Sequence, residues 1–179
     1  LEGLPSATTC IELSTDVYTK VATRDTTEGV FALAASKNHA LEGLVFKRKA
    51  PLLLVAEAPE KPGNIGALLR TADAADIDAV LIANPKTDLY NPNTIRSSVG
   101  CLFTTQVATG STEEILNYLK KHKISVYAAA LKKDAEPYQD QDLKKATAIV
   151  VGTEAVGLSE DWLENANKKI IIPMNGKID

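Results

Sequence analysis

Pro51-Leu52-Leu53-Leu54-Val55-Ala56-Glu57-Ala58, followed after Pro62-Gly63 by Asn64-Ile65-Gly66-Ala67-Leu68-Leu69-Arg70-Thr71-Ala72, reads as a strand that feeds a helix. In the second stretch Ile65, Leu68, Leu69 and Ala72 recur at i, i+3, i+4 and i+7, one face of an α-helix, and Arg70 falls on the opposite side of that stripe. Pro62-Gly63 supplies a tight turn and Asn64 is a favoured N-cap residue, so the helix is expected to open at the strand's carboxyl end. Open α/β sheets bind their ligands at such ends.

The same rhythm continues outward. Apolar runs at 52–56, 79–83, 124–130, 148–151 and 170–172 read as strands, with helices at 64–75 and near 93–98. Ser111-Thr112-Glu113-Glu114 has the spacing of a capping box and opens a further helix through Ile115, Leu116 and Leu119. Strands that are apolar along their whole length belong to a parallel sheet covered on both faces. The expected class is therefore α/β, a parallel sheet with helices on both faces.

Composition narrows the chemistry. With 179 residues and 45% hydrophobic content there is room for one packed domain and a remnant of another. A net charge of −3 excludes nucleic-acid binding by bulk electrostatics, so any such site must be a local patch. Lys47-Arg48-Lys49, Lys120-Lys121-His122-Lys123 and Lys132-Lys133 are the clusters on offer, and the second is accounted for by cations favouring a helix C-terminus. His39 and His122 have no ligand partners at metal-site spacing, so no metal is expected. Cys10 and Cys101 form neither a metal motif nor a disulfide framework, which points to a reducing, cytoplasmic setting. No apolar run reaches the roughly 18 residues of a membrane span. Gly63-Asn64-Ile65-Gly66 lacks the third glycine of a dinucleotide fingerprint, and no Gly-Lys-Ser/Thr follows as in a P-loop. One tryptophan and five tyrosines do not make a stacking platform for single strands.

Three motifs in order carry a resemblance. Asn64 to Ala72 reads N-x-G-x-x-x-R-T-A, Gly152-Thr153-Glu154-Ala155-Val156-Gly157-Leu158 reads G-x-E-x-x-G-L, and Ile172-Pro173-Met174-Asn175-Gly176 begins I-P-M-x-G. Over residues 51 to 179 the chain resembles the SpoU (TrmH-type) RNA ribose 2'-O-methyltransferases of the SPOUT superfamily. That resemblance implies a trefoil α/β knot, S-adenosylmethionine as cofactor, a homodimer, and structured RNA as substrate, ribosomal rather than transfer RNA. It also implies an N-terminal RNA substrate-binding domain. Residues 1–49 are expected to be its remnant plus a linker, and 50–179 the catalytic domain. The third motif departs from the family's pattern after Gly176, since no Ser-Leu-Asn follows Lys177-Ile178-Asp179. Both ends thus look cut, with the knot-completing segment absent.

By the same resemblance Arg70, Asn64 and Glu154 are the catalytic candidates. A guanidinium holds its proton too tightly to be a good proton acceptor, so Arg70 either serves as the family's base or binds RNA phosphate and stabilises the developing alkoxide. Asn64 either orients Arg70 or the ribose, or is a helix cap. Glu154 pairs with Arg70 or fixes its loop by accepting backbone N–H groups. The cofactor is assigned to loops after three strands, at Leu131, at Gly152, Thr153 and Gly157, and at Ile172 and Met174. Glycines let backbone approach a ligand closely, and the alternative for Gly152 and Gly157 is a plain turn. RNA contacts are assigned to Arg70, Arg96, Lys47 and Arg48, with Arg96 open between a phosphate contact and a solvated helix position. A non-catalytic RNA-binding homologue of the same fold is the second reading.

Overall fold

The computed structural model describes residues 5–22, 29–174 and 176. It divides into two compact units, Leu1–Ser36 and Lys37–Asp179. In the first, α1 (Thr15–Val21) is capped by the Ser14 side chain and buries none of its residues, and the Tyr18 hydroxyl donates to the Val30 carbonyl at 3.1 Å.

The second unit is built on seven parallel strands: β1 (Leu52–Glu57), β2 (Ala79–Ala83), β3 (Val107–Gly110), β4 (Ser125–Ala129), β5 (Glu136–Pro137), β6 (Thr147–Val151) and β7 (Lys168–Ile171). Their order is β3-β2-β1-β6-β4-β7-β5. The helices are α2 (Pro62–Ala74), α3 (Pro92–Ser97), α4 (Cys101–Thr104), α5 (Thr112–Lys121) and α6 (Glu160–Asn165). Alternation along the strands sorts the core into two layers. Leu53 and Val55 of β1, Leu81 of β2 and Val150 of β6 pack with Ile115 and Leu119 of α5 and Trp162 and Leu163 of α6. Leu54, Val80 and Ile82 face the other way, onto Ile65, Leu69 and Ala72 of α2 and Leu102 of α4. Each fully buried large aliphatic side chain is worth about 1.5–3 kcal/mol, so both helical layers are needed to cover the sheet.

Residues 37–49, the later part of the stretch expected to hold a domain remnant and linker, pack within the second unit. Thr109 of β3 donates its N–H to the His39 carbonyl at 2.8 Å, and the Gln106 side chain exchanges two hydrogen bonds with the Val45 backbone. Leu41 is buried in the core. The segment thus covers the open edge of β3, an edge that would otherwise present unpaired backbone groups.

Three local expectations are revised. Lys61, not Asn64, is the N-cap of α2, with Pro62 in its first turn; the fixed φ of proline suits the first helical position, so the helix starts earlier than a side-chain cap at Asn64 requires. The last strand ends at Ile171, which leaves Ile172 beyond it. Elements of four to six residues, β3, α4 and α6, carry too little periodicity to be read from sequence. The capping box at Ser111 and Glu114 is present as expected.

Candidate active site

The strand order reverses between β1 and β6. The chain runs from β1 outward to β2 and β3, then returns through β4 and β6 to pair β6 with β1, Ala56 opposite Val151. The first motif follows β1 and the second follows β6, so the two begin side by side at the switch point where α/β sheets hold ligands. β4 and β7 lie next in order, and the turn at Leu131 and the segment at Ile172 leave their carboxyl ends.

The second motif is a tight hairpin. Thr153 and Gly157 exchange backbone hydrogen bonds of 3.1 Å, Thr153 Oγ1 accepts from Val156 N–H at 3.2 Å, and Gly157 has φ +73°. A Cβ on Gly152 would lie 2.2 Å from the Gly157 carbonyl carbon and 2.5 Å from Leu158 N. Only glycine fits there, which is a stronger requirement than a turn alone imposes.

Two carboxylates tie the second-motif segment to the end of β1 and the start of α2. Glu154 accepts from Lys61 Nζ at 2.7 Å and from Asn64 Nδ2 at 2.8 Å. Glu57, the last residue of β1, accepts from Ser159 N–H at 2.8 Å and from Ser159 Oγ at 2.7 Å. Sequence reasoning missed Glu57; its signal was a carboxylate at the end of an otherwise apolar strand, on the buried side by alternation.

Other expected roles change. Among the described residues the hydrogen bonds to the Glu154 carboxylate come from Lys61 and Asn64, at the start of α2, and none comes from Arg70 or a backbone N–H. Asn64 does not cap α2; its Nδ2 donates to Glu154. Arg70 is exposed, and its side chain makes no hydrogen bond among the described residues. Arg96 is also exposed, its Nη1 donating to Asn93 Oδ1 at 3.4 Å. Neighbouring Ser97 presses on Gly66, where a Cβ would meet Ser97 Oγ at 2.0 Å, so glycine in the first motif sets how closely α3 packs on α2. Arg48 is bonded to the carboxylate and carbonyl of Asp76 and lies 3.7 Å from Asp78. Asp78 immediately precedes β2, which puts Arg48 at the amino ends of the strands, with exposed Lys47 beside it in sequence and away from the motif loops.

The Lys61 hydrogen bond and then that of Asn64 hold the Glu154 carboxyl below its ordinary 4.5. The hydrogen bond to Glu154 raises Lys61 above 10.5. A depressed carboxylate contributes above its unfolded value and is lost as pH falls through the folded one, while a raised lysine contributes below its unfolded value and is lost above. The bridge is therefore constant between pH 4.5 and 10.5. The Asn64 side-chain amide resonances should stay fixed across that window and titrate only below 4.5; a midpoint at or above the ordinary carboxylate value would contradict the contact. Both side chains are largely exposed, so the bridge orients the loop more than it stabilises the fold.

At the ends of β4, β6 and β7, Leu131, Val156, Ile172 and Met174 are 62% to 84% exposed. Large apolar side chains that follow the carboxyl ends of adjacent strands, with a loop that excludes any Cβ at Gly152, suit both an apolar wall and close backbone approach, the chemistry that an adenosyl group requires.

The SpoU rRNA Methylase family model matches residues 51–179. The chain belongs to that family. It is 31% identical over 170 residues to the 23S rRNA (guanosine(2553)-2'-O)-methyltransferase RlmP of Bacillus subtilis, covering 95% of this chain and 66% of that one. It is 30% identical over 143 residues to the tRNA (guanosine(18)-2'-O)-methyltransferase of Thermus thermophilus, covering 80% and 73%. The crystal structure of the SpoU methyltransferase AviRb from Streptomyces viridochromogenes with AdoMet matches with a TM-score of 0.72 and 26% identity, over 80% of this chain and 58% of that one. The chain thus spans under two thirds of the first and third of these proteins, 66% and 58% of their lengths. Among the described residues no helix is long and apolar enough to cross a membrane.

Proposed function

We propose that this SpoU-family chain forms the S-adenosylmethionine site of an RNA ribose 2'-O-methyltransferase. The observation that carries the proposal is the glycine-bound hairpin 152–157 amid exposed Leu131, Val156, Ile172 and Met174, at the reversal of strand order. The relatives' names favour RNA as substrate, and ribosomal RNA is the expected class, in the cytoplasm, with residues 1–36 as part of an RNA-binding domain and a homodimer as the working form.

When bound, the cofactor supplies an electrophilic sulfonium methyl group. Leu131, Ile172 and Met174 would line its apolar part, and the backbone at Gly152, Thr153 and Gly157 its polar part. Holding the ribose hydroxyl near attack geometry is worth on the order of 7–11 kcal/mol, against roughly 3–5 kcal/mol for one general base, so positioning carries most of the rate. Arg70, a cation on an exposed helix face, would bind phosphate beside the target ribose and stabilise the alkoxide as it forms. Lys61 and Asn64 keep Glu154, and so the hairpin, beside the start of α2.

Calorimetric titration of S-adenosylmethionine into the protein, with methyl transfer to ribosomal and transfer RNA and light scattering on the same samples, tests the proposal. Saturable binding, transfer to ribosomal RNA and a dimeric mass are expected. Absence of binding would overturn it in favour of a non-catalytic RNA-binding homologue.

A further inference from the structure

We infer that Glu57 is a positioning residue for the hairpin 152–157, acting through Ser159, and so for the cofactor; this rests on the methyltransferase reading. Glu57 ends β1 and is only 7% exposed, on the sheet face shared with Trp162 and Leu163 of α6. A carboxylate is costly to bury, and here both oxygens are used, one by the N–H and one by the hydroxyl of a single residue.

That residue occupies a telling place. Ser159 is the N-cap of α6, where a serine hydroxyl ordinarily accepts from the helix's own free N–H groups. Its hydroxyl makes no cap hydrogen bond and donates to Glu57 instead. The contact is therefore made at the expense of α6 and in favour of a link between the ends of β1 and the second-motif loop. Glu154 holds that loop in the middle through an exposed bridge, and Glu57, itself buried, holds its exit through a part-buried link to exposed Ser159, next to Leu158, which is anchored in the core. Of the two, the part-buried link is the one solvent weakens less.

Glu57→Leu keeps the volume but accepts no hydrogen bond. It is expected to weaken S-adenosylmethionine binding about tenfold or more, with kcat at saturating cofactor within about threefold of wild type. Glu57→Gln can accept from the Ser159 N–H and donate to Ser159 Oγ, and is expected to restore affinity to within about threefold of wild type. Ser159→Ala, which keeps the N–H contact, should fall between them and covers the case in which Glu57→Leu does not fold. Without cofactor, hydrogen exchange at Leu158 and Ser159 should quicken in Glu57→Leu, and fluorescence of the single Trp162, three residues beyond Ser159, should report the loosened start of α6. Wild-type affinity and exchange in both Glu57→Leu and Ser159→Ala would overturn the inference while leaving the methyltransferase reading intact. Wild-type protein that binds no S-adenosylmethionine would overturn that reading, and quickened exchange in Glu57→Leu would then still support Glu57 as the residue that fixes the loop.

Discussion

Arg70→Ala is expected to reduce methyl transfer by at least about 10²-fold while leaving S-adenosylmethionine affinity close to wild type. The separation follows from where the side chain sits. α2 buries Ile65, Leu69 and Ala72 and turns Arg70 to solvent, so removing the guanidinium opens no cavity and breaks no hydrogen bond among the described residues. Nor does Arg70 touch the hairpin, whose contacts to the first motif run through Lys61, Asn64 and Glu57. What it can lose is a positive charge held out to a polyanion and to an oxyanion forming on the ribose. Such a donor lowers kcat when removed if it acts mainly in the transition state, and raises KM for RNA if it only anchors phosphate. Arg70→Lys separates these further, because an ammonium keeps the charge and loses the planar fork that grips phosphate at two points. Radiometric methyl transfer with parallel calorimetry reads both quantities. An Arg70→Ala protein that keeps most of its turnover would remove Arg70 from the chemistry.

The layered α/β fold was legible because its signals are local. β1 and β2 are apolar on both faces, α2 and α5 show a one-sided stripe, and Ser111 with Glu114 announces the start of α5. β3 was not legible, since Val107–Gly110 becomes a strand only through pairing with β2 on one side and cover from residues 37–45 on the other. The site shows the same divide. Gly152 and Gly157 stand out by motif spacing, and the structure places them in one hairpin. The partners of Glu154 and Glu57 did not, because Lys61 and Asn64 lie some ninety residues before Glu154 and Ser159 lies 102 residues after Glu57. Spacing cannot choose among carboxylate partners at that distance; the pairing of β1 with β6 chooses them, by bringing two strand ends into register. The surroundings of Arg48 were hidden for a related reason. A basic run looks the same in sequence whether it faces a ligand or, as here, is bonded to aspartates at the opposite end of the sheet.

Gly152→Ala should lower stability by about 1–3 kcal/mol and cost at least about tenfold in cofactor affinity, a larger effect than its single added methyl group suggests. The atoms the new Cβ would meet are all backbone: the Gly157 carbonyl carbon at 2.2 Å, its oxygen at 2.4 Å and Leu158 N at 2.5 Å. No side chain can rotate out of the way. The strain cannot pass upstream, because β6 is paired on both sides, nor downstream, because Leu158 is buried and Ser159 is held by Glu57. It must be taken up between Thr153 and Gly157, which is the loop assigned to the cofactor. Gly63→Ala supplies the control: a Cβ there meets nothing within 4 Å, and the position lies in the first turn of α2. Exchange of glycine for alanine in a helix is neutral to favourable by up to about 1 kcal/mol, so this variant should melt no lower than wild type and bind the cofactor equally well. Thermal melts and calorimetry on the two variants side by side decide the matter. A Gly152→Ala protein that melts and binds as wild type does would mean that the hairpin yields freely, and that close backbone approach at Gly152 does not shape the site.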